Sequence, residues 1–199
     1  MEVKRLLEFL HTAEKLKCNT RHSWTSTGRR ESVAEHCWRL SLMAYLLKDE
    51  VPEVDMDKVI VMCLCHDLGE AITGDIPAFW KNENDEKVEE KAVYSLADSL
   101  PEPYQGEMKA LFEEMWAMET PEAKLVKALD KIEALVSHEE GSLDTWLPIE
   151  YTKNLTYGKE EVKAFPYTEA LWQAVQQELK EKVEKGKEDQ AKGGSSYVE

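Results

Sequence analysis

The sequence predicts an all-α protein, a single-domain bundle of six to eight helices. Apolar residues recur at three- and four-residue steps along most of the chain. Capping residues, Pro and Gly punctuate those stretches at helical lengths, and no alternating run is long enough for a useful strand. At 199 residues with 42% hydrophobic side chains, the chain suits one domain with a real core.

The first segment, about Val3 to Leu16, sets Val3, Leu6, Leu7, Leu10 and Ala13 on one helical stripe. A polar connection, KCNTRHSWTSTGRRE, follows and is too hydrophilic for core, yet it carries Trp24. Ser32 opens a second helix, and Glu35 three residues on completes a capping box. Its inner face reads Val33, Cys37, Leu40, Ala44 and Leu47. A third helix starts at Asp55 or Asp57 and runs through VIVMCLCHDLGE; it is apolar nearly all round, which predicts a central position. Gly69, Gly74 and Pro77 close it in a tight loop. Helices then follow over the charged stretch bearing Val88, Ala92, Leu96 and Leu100, and over Tyr104 to Met118. Thr120-Pro121-Glu122 is a start signal for AKLVKALDKIEALVSH. A last helix spans about Tyr167 to Lys185, so the domain is expected to cover residues 1–185 and the tail 186–199 to be disordered.

The formal charge is −15 from 40 acidic and 25 basic residues. Such a surface repels phosphate backbones and lacks a basic stripe, which excludes nucleic acid and an anionic membrane as partners. Cys63 and Cys65 sit in an apolar run with no second pair at zinc-ribbon spacing, so the four cysteines read as reduced thiols. No leader-like start and no apolar run of about 20 residues is evident, which makes the cytoplasm the expected location. Helical domains of this size commonly pair as symmetric dimers, so a homodimer is compatible with the sequence.

His66-Asp67 stands out late on the apolar third helix. A carboxylate beside an imidazole at that depth is costly unless compensated, and a divalent cation compensates both in their deprotonated forms. His36, one turn into the second helix beside Val33, Cys37 and Leu40, can point inward. Asp130 borders the core side defined by Leu125, Val126, Leu129, Ile132 and Leu135. Two imidazoles and two carboxylates would leave coordination positions open, as hydrolysis needs. Mixed N and O donors tolerate Mn, Co, Fe, Ni or Zn. Lys131 and Glu133 read as the solvated face of their helix, and His11, His22 and His138 as structural or surface residues.

The order His36, His66-Asp67, Asp130, with the words ESVAEH, CHDLGEAITGDIP and ALDKIEAL, resembles the HD-domain metal-dependent phosphohydrolases. The last two words are similar to the branch containing 5′-deoxynucleotidases, over about Leu6 to His138. The resemblance implies removal of phosphate from nucleoside 5′-monophosphates, a small-molecule nucleotide as partner, and functional acids at Glu70 and Asp75. Glu70 lies one turn from the His-Asp pair, within reach as general acid or base; Asp75 would meet a metal-shell ligand or a sugar hydroxyl. The branch's phosphate-contacting Arg matches Arg21, whose planar guanidinium can take two phosphate oxygens. His22 follows it, and Trp24 two places on is either a substrate contact or a buried anchor. Two other readings stay open: hydrolysis of a triphosphate, a (p)ppGpp-like or a cyclic nucleotide, and a non-catalytic helical module with a structural metal.

Overall fold

In the computed structural model, which describes residues 2–193, the capping signals set where the helices begin. Ser32 Oγ accepts from the Glu35 amide while Glu35 reaches back to the Ser32 amide, so α2 (Val33–Leu46) starts where the sequence predicts. Thr120 Oγ1 accepts from Ala123 N at 3.3 Å with Pro121 in the first turn of α7 (Pro121–Glu140). Caps of this kind each stabilise by about 0.5–2 kcal/mol, and they fix which turn His36 and Asp130 occupy.

In chain order the elements are α1 (Val3–Ala13), β1 (Thr20–Trp24), β2 (Arg30–Ser32), α2, α3 (Met56–Cys65), α4 (Glu70–Thr73), α5 (Glu83–Asp98), α6 (Tyr104–Ala117), α7, α8 (Glu150–Lys153) and α9 (Pro166–Gly193). Setting aside the two four-residue helices α4 and α8, seven remain among the described residues, within the expected six to eight. The fold is all-α apart from one small hairpin.

That hairpin is a correction. The polar connection, without a strand pattern of useful length, folds as β1 and β2, antiparallel with Thr20 opposite Ser32 and Trp24 opposite Arg30. Burial against α7 and the start of α2, rather than alternation, makes these strands. A second correction concerns the centre. α3 leaves Val61 and Leu64 exposed and buries only Val59, Met62 and Cys63. Half of α7 is buried instead, and it packs against α2, α3, α6, α9 and β1. Leu125, Val126 and Leu129 join Leu40, Ala44, Met62 and Cys63 in one cluster, while Ile132 and Leu135 join Trp146, Val175 and Leu179 in another. α1 buries nothing: Leu6, Leu7 and Leu10 stay between 42% and 50% exposed. α9 continues to Gly193, past the expected end at 185; residues 194–199 of the expected tail lie outside the described residues.

Candidate metal centre

α3 stops at Cys65 rather than running on through Glu70, because His66 to Gly69 form a turn before α4. A Cβ on Gly69 would stand 2.9 Å from Glu89 Cγ and 3.2 Å from Glu89 O, so only glycine lets this turn lie against α5. The turn swings His66 and Asp67 toward α2 and α7.

There His36, His66 and Asp67 meet, their ligand atoms all within 4.8 Å of one another, and Asp130 borders the two histidines. His36 Nε2 lies 3.2 Å from His66 Nε2, 3.4 Å from Asp130 Oδ1 and 3.7 Å from Asp67 Oδ2. His66 Nε2 lies 3.1 Å from Asp67 Oδ2 and 3.9 Å from Asp130 Oδ1. Donors bound to one ion at about 2.1 Å stand roughly 3 to 3.5 Å apart, so the spacing suits a shared cation. Tautomers strengthen the point. His66 Nδ1 is 2.9 Å from the Cys63 carbonyl, and His36 Nδ1 meets the Glu133 carboxylate. Both acceptors call for a proton on Nδ1, which turns the two Nε2 lone pairs toward each other across 3.2 Å. Such a face-off needs a positive charge between the rings. The surrounding carboxylates point the same way: burial opposes charge on both histidines, yet Glu133 and Asp130 hold the His36 pKa up, and Asp67 holds that of His66 well up. Asp130 is held well below the usual carboxylate range against its burial by Lys131 and His36.

Glu133 is the residue the sequence concealed. Read as a surface acid, it is wholly buried. Besides His36 it takes Arg21 Nη1 at 3.1 Å, Arg39 Nε at 2.7 Å and Ser137 Oγ at 3.2 Å. Burial raises its pKa, but His36, Arg21 and Arg39 outweigh that and keep it ionised. The one available signal was its place a single turn after Asp130 on the same helix. Lys131, read as solvated too, is largely buried and pairs with Asp130 Oδ2 at 3.1 Å and Tyr157 Oη at 2.8 Å.

A cavity of about 1080 Å³ opens beside this centre, and Arg21, His66, Asp67, Glu70, Asp75 and Asp130 line it. Arg21 is charged and held: burial opposes its charge, but Glu133 and Glu31 override that, with Nη1 3.0 Å from Glu31 Oε2. Glu70 is 5% exposed, and its buried Oε2 has no hydrogen-bond partner. Burial first, then Asp67, Asp75 and Glu89, push its pKa up to about 10. The crowding is close, since oxygens of Asp67, Glu70 and Glu89 fall within 4.8 Å of one another. Burial also raises the Asp75 pKa.

Of the two readings of Trp24, substrate contact and buried anchor, its position bears on the first. Its ring sits under the Arg30 guanidinium, 5.6 Å away, and its carbonyl is close to Gly141; it does not line the cavity. Trp24 ends β1 beside the hairpin turn, where the strand has left the centre. His22 and His138, read as structural, do line the cavity. His138 follows Asp130 by eight residues, two turns along the same stripe of α7, a spacing visible in the sequence.

The HD domain family matches residues 13–172 of this chain. The chain belongs to the HD-domain family. This HD domain is 36% identical over 141 residues to a 5′-deoxynucleotidase HDDC2 of Bos taurus, covering 69% of this chain and 68% of that protein. It is 31% identical over 138 residues to 5′-deoxynucleotidase hdd1 of Schizosaccharomyces pombe, covering 65% and 69%. Among solved structures, a predicted metal-dependent phosphohydrolase of Magnetospirillum magnetotacticum matches with a TM-score of 0.79 at 29% identity, over 92% of this chain and 94% of that chain.

Proposed function

We propose that this HD-domain enzyme is a divalent-metal-dependent phosphomonoesterase acting on (deoxy)ribonucleoside 5′-monophosphates. One observation carries the reading. Two imidazoles with opposed Nε2 atoms meet Asp67 and Asp130 on the wall of a nucleotide-sized cavity that also holds a charged Arg21.

His36, His66, Asp67 and Asp130 would hold the cation, which would supply an activated water and polarisation of the phosphoryl group. Arg21, pre-oriented by Glu31 and Glu133, and Lys131 offset the charge that builds on the phosphoryl oxygens. Glu70, whose pKa burial and the neighbouring carboxylates raise, is placed to donate a proton to the departing nucleoside 5′-oxygen. Asp75 accepts a sugar hydroxyl from the loop after α4.

The mixed nitrogen and oxygen donors support Mn, Co, Fe, Ni or Zn as the cation. In this reading residues 1–185 form the catalytic domain, and α9 carries on past it to Gly193. A cytoplasmic location is supported by four free cysteines and by the lack, among the described residues, of a helix long and apolar enough to cross a membrane. A homodimer is supported by the exposure of Leu6, Leu10, Trp38, Leu42, Tyr45 and Leu46 on α1 and α2. The deciding experiment measures phosphate release from all ribo- and deoxyribonucleoside monophosphates with each divalent metal in turn. Release from nucleoside monophosphates that requires the metal is expected; no release with any metal refutes the reading.

A further inference from the structure

The cavity extends well past the metal centre, and α7 measures it. Lys127, Asp130, Lys131, Ala134 and His138 all face it from one stripe of that helix. From Asp130 to His138 the helix rises about 12 Å, comparable to the distance from the phosphate of a nucleotide to its nucleobase. Phosphate at the metal therefore places the base at the far wall.

That wall is polar, built and incompletely paired. Glu150 Oε1 lies 3.3 Å from His22 Nε2 and 3.6 Å from His138 Nε2, while Glu150 Oε2 accepts the Leu147 amide at 2.6 Å. Asn154, one turn after Glu150, is 2% exposed and lines the cavity, and its main chain is pinned by Gln176 Nε2 at 2.7 Å. The Asn154 Nδ2 donor is buried with no hydrogen-bond partner. A buried donor left unpaired is unfavourable, and an acceptor arriving with the ligand removes that penalty.

We propose that His22, His138, Glu150 and Asn154 form a nucleobase subsite in which Asn154 Nδ2 donates to an exocyclic carbonyl oxygen of the base. This rests on the nucleotidase reading above. Thymine, cytosine and guanine carry such a carbonyl, whereas adenine offers an amino group there. The subsite thus favours carbonyl-bearing bases, with Glu150 lying between the two histidines that form its sides.

The test uses the full chain with Mn²⁺ and compares kcat/KM for dTMP, dAMP and the base-free 2-deoxyribose 5-phosphate. The wild type is expected to prefer dTMP over both. In Asn154→Ala the dTMP-to-dAMP ratio should fall about three- to tenfold, the worth of one hydrogen bond to a neutral donor, and the gap to 2-deoxyribose 5-phosphate should narrow. Asn154→Asp, which exchanges the donor for an acceptor, should lower the ratio at least as far. Each ratio is taken within one preparation, so a partly folded variant does not distort it. A ratio within about twofold of wild type in both variants, or equal turnover of dTMP and 2-deoxyribose 5-phosphate by the wild type, overturns the subsite while leaving the phosphatase intact. Absence of release from every nucleotide removes the nucleotidase reading and the subsite with it.

Discussion

Glu133 offers the sharpest test of how the centre is held. It is wholly buried and bonds His36, Arg21, Arg39 and Ser137 at once. Glu133→Gln keeps the shape and one acceptor for His36 Nδ1 but removes the negative charge. A group that orients and polarises a metal-ligating histidine is worth about 10- to 100-fold in metal affinity, or roughly 1.4 to 2.7 kcal/mol. Glu133→Ala removes the acceptor as well, leaving His36 Nδ1 buried without its partner and Arg21 with Glu31 alone. Breaking a buried pair in this way costs about 3–5 kcal/mol, which for a chain of this size lowers Tm by about 10 °C. Calorimetric titration with Mn²⁺ and melting curves with and without metal separate the two effects. Glu133→Gln should weaken metal binding by one to two decades with a modest loss of metal-free stability, whereas Glu133→Ala should lose both. If Glu133→Gln binds metal within about twofold of wild type, Glu133 does not act through His36 and the reasoning fails.

Three further outcomes are expected. His66→Ala or Asp67→Ala should abolish metal binding, read as the loss of any Tm gain on adding Mn²⁺. Glu70→Gln should still bind the metal but lose about 10²- to 10⁴-fold in kcat, the usual contribution of a positioned proton donor; near-normal turnover would exclude that role. His138 titrates in the opposite sense to the metal-binding histidines: burial, then His22 and Arg21, lower its pKa from 6.5 to about 4, against a weaker pull from Glu133. Between those values the unfolded chain binds the extra proton, so stability rises with pH through that window and is lost as pH falls through it. His138→Gln should remove about 2–3 kcal/mol of acid destabilisation between pH 6.5 and pH 4; an unchanged pH dependence of the denaturant midpoint would contradict the buried neutral imidazole.

The residues that meet at the centre were legible because their signals are local. Ser32 and Glu35 fix the start of α2, so His36 falls one turn in and faces the core, and the His66-Asp67 pair is anomalous on an apolar helix whatever lies around it. Other features depend on what arrives from elsewhere in the chain. Glu133 and Lys131 alternate with apolar neighbours as surface charges do, and become buried because Arg21, Arg39 and Tyr157 come to meet them. The hairpin carries polar residues because Arg21 and Glu31 bond across it and on to α7, a reason for strand formation that no alternation records. The apolar stripe of α1 was read correctly as helical, yet periodicity does not say which surface covers it.

The charge of the chain and the charge of its substrate look opposed, and the cavity shows how they are reconciled. Along its wall acidic side chains outnumber basic ones, so the wall taken whole repels a phosphate dianion. Two of those acids hold their charge less readily, since burial, with neighbouring carboxylates, raises the pKa of Glu70 and Asp75. The basic side chains Arg21, Lys81, Lys127 and Lys131 also face the cavity, with Arg21 and Lys131 held charged by Glu133 and Asp130. Even so, Asp67 and Asp130 remain ionised at the centre. A divalent cation between them would turn the local field toward an anion. On the proposed function, removing the metal is therefore expected to weaken substrate binding as well as to lower kcat.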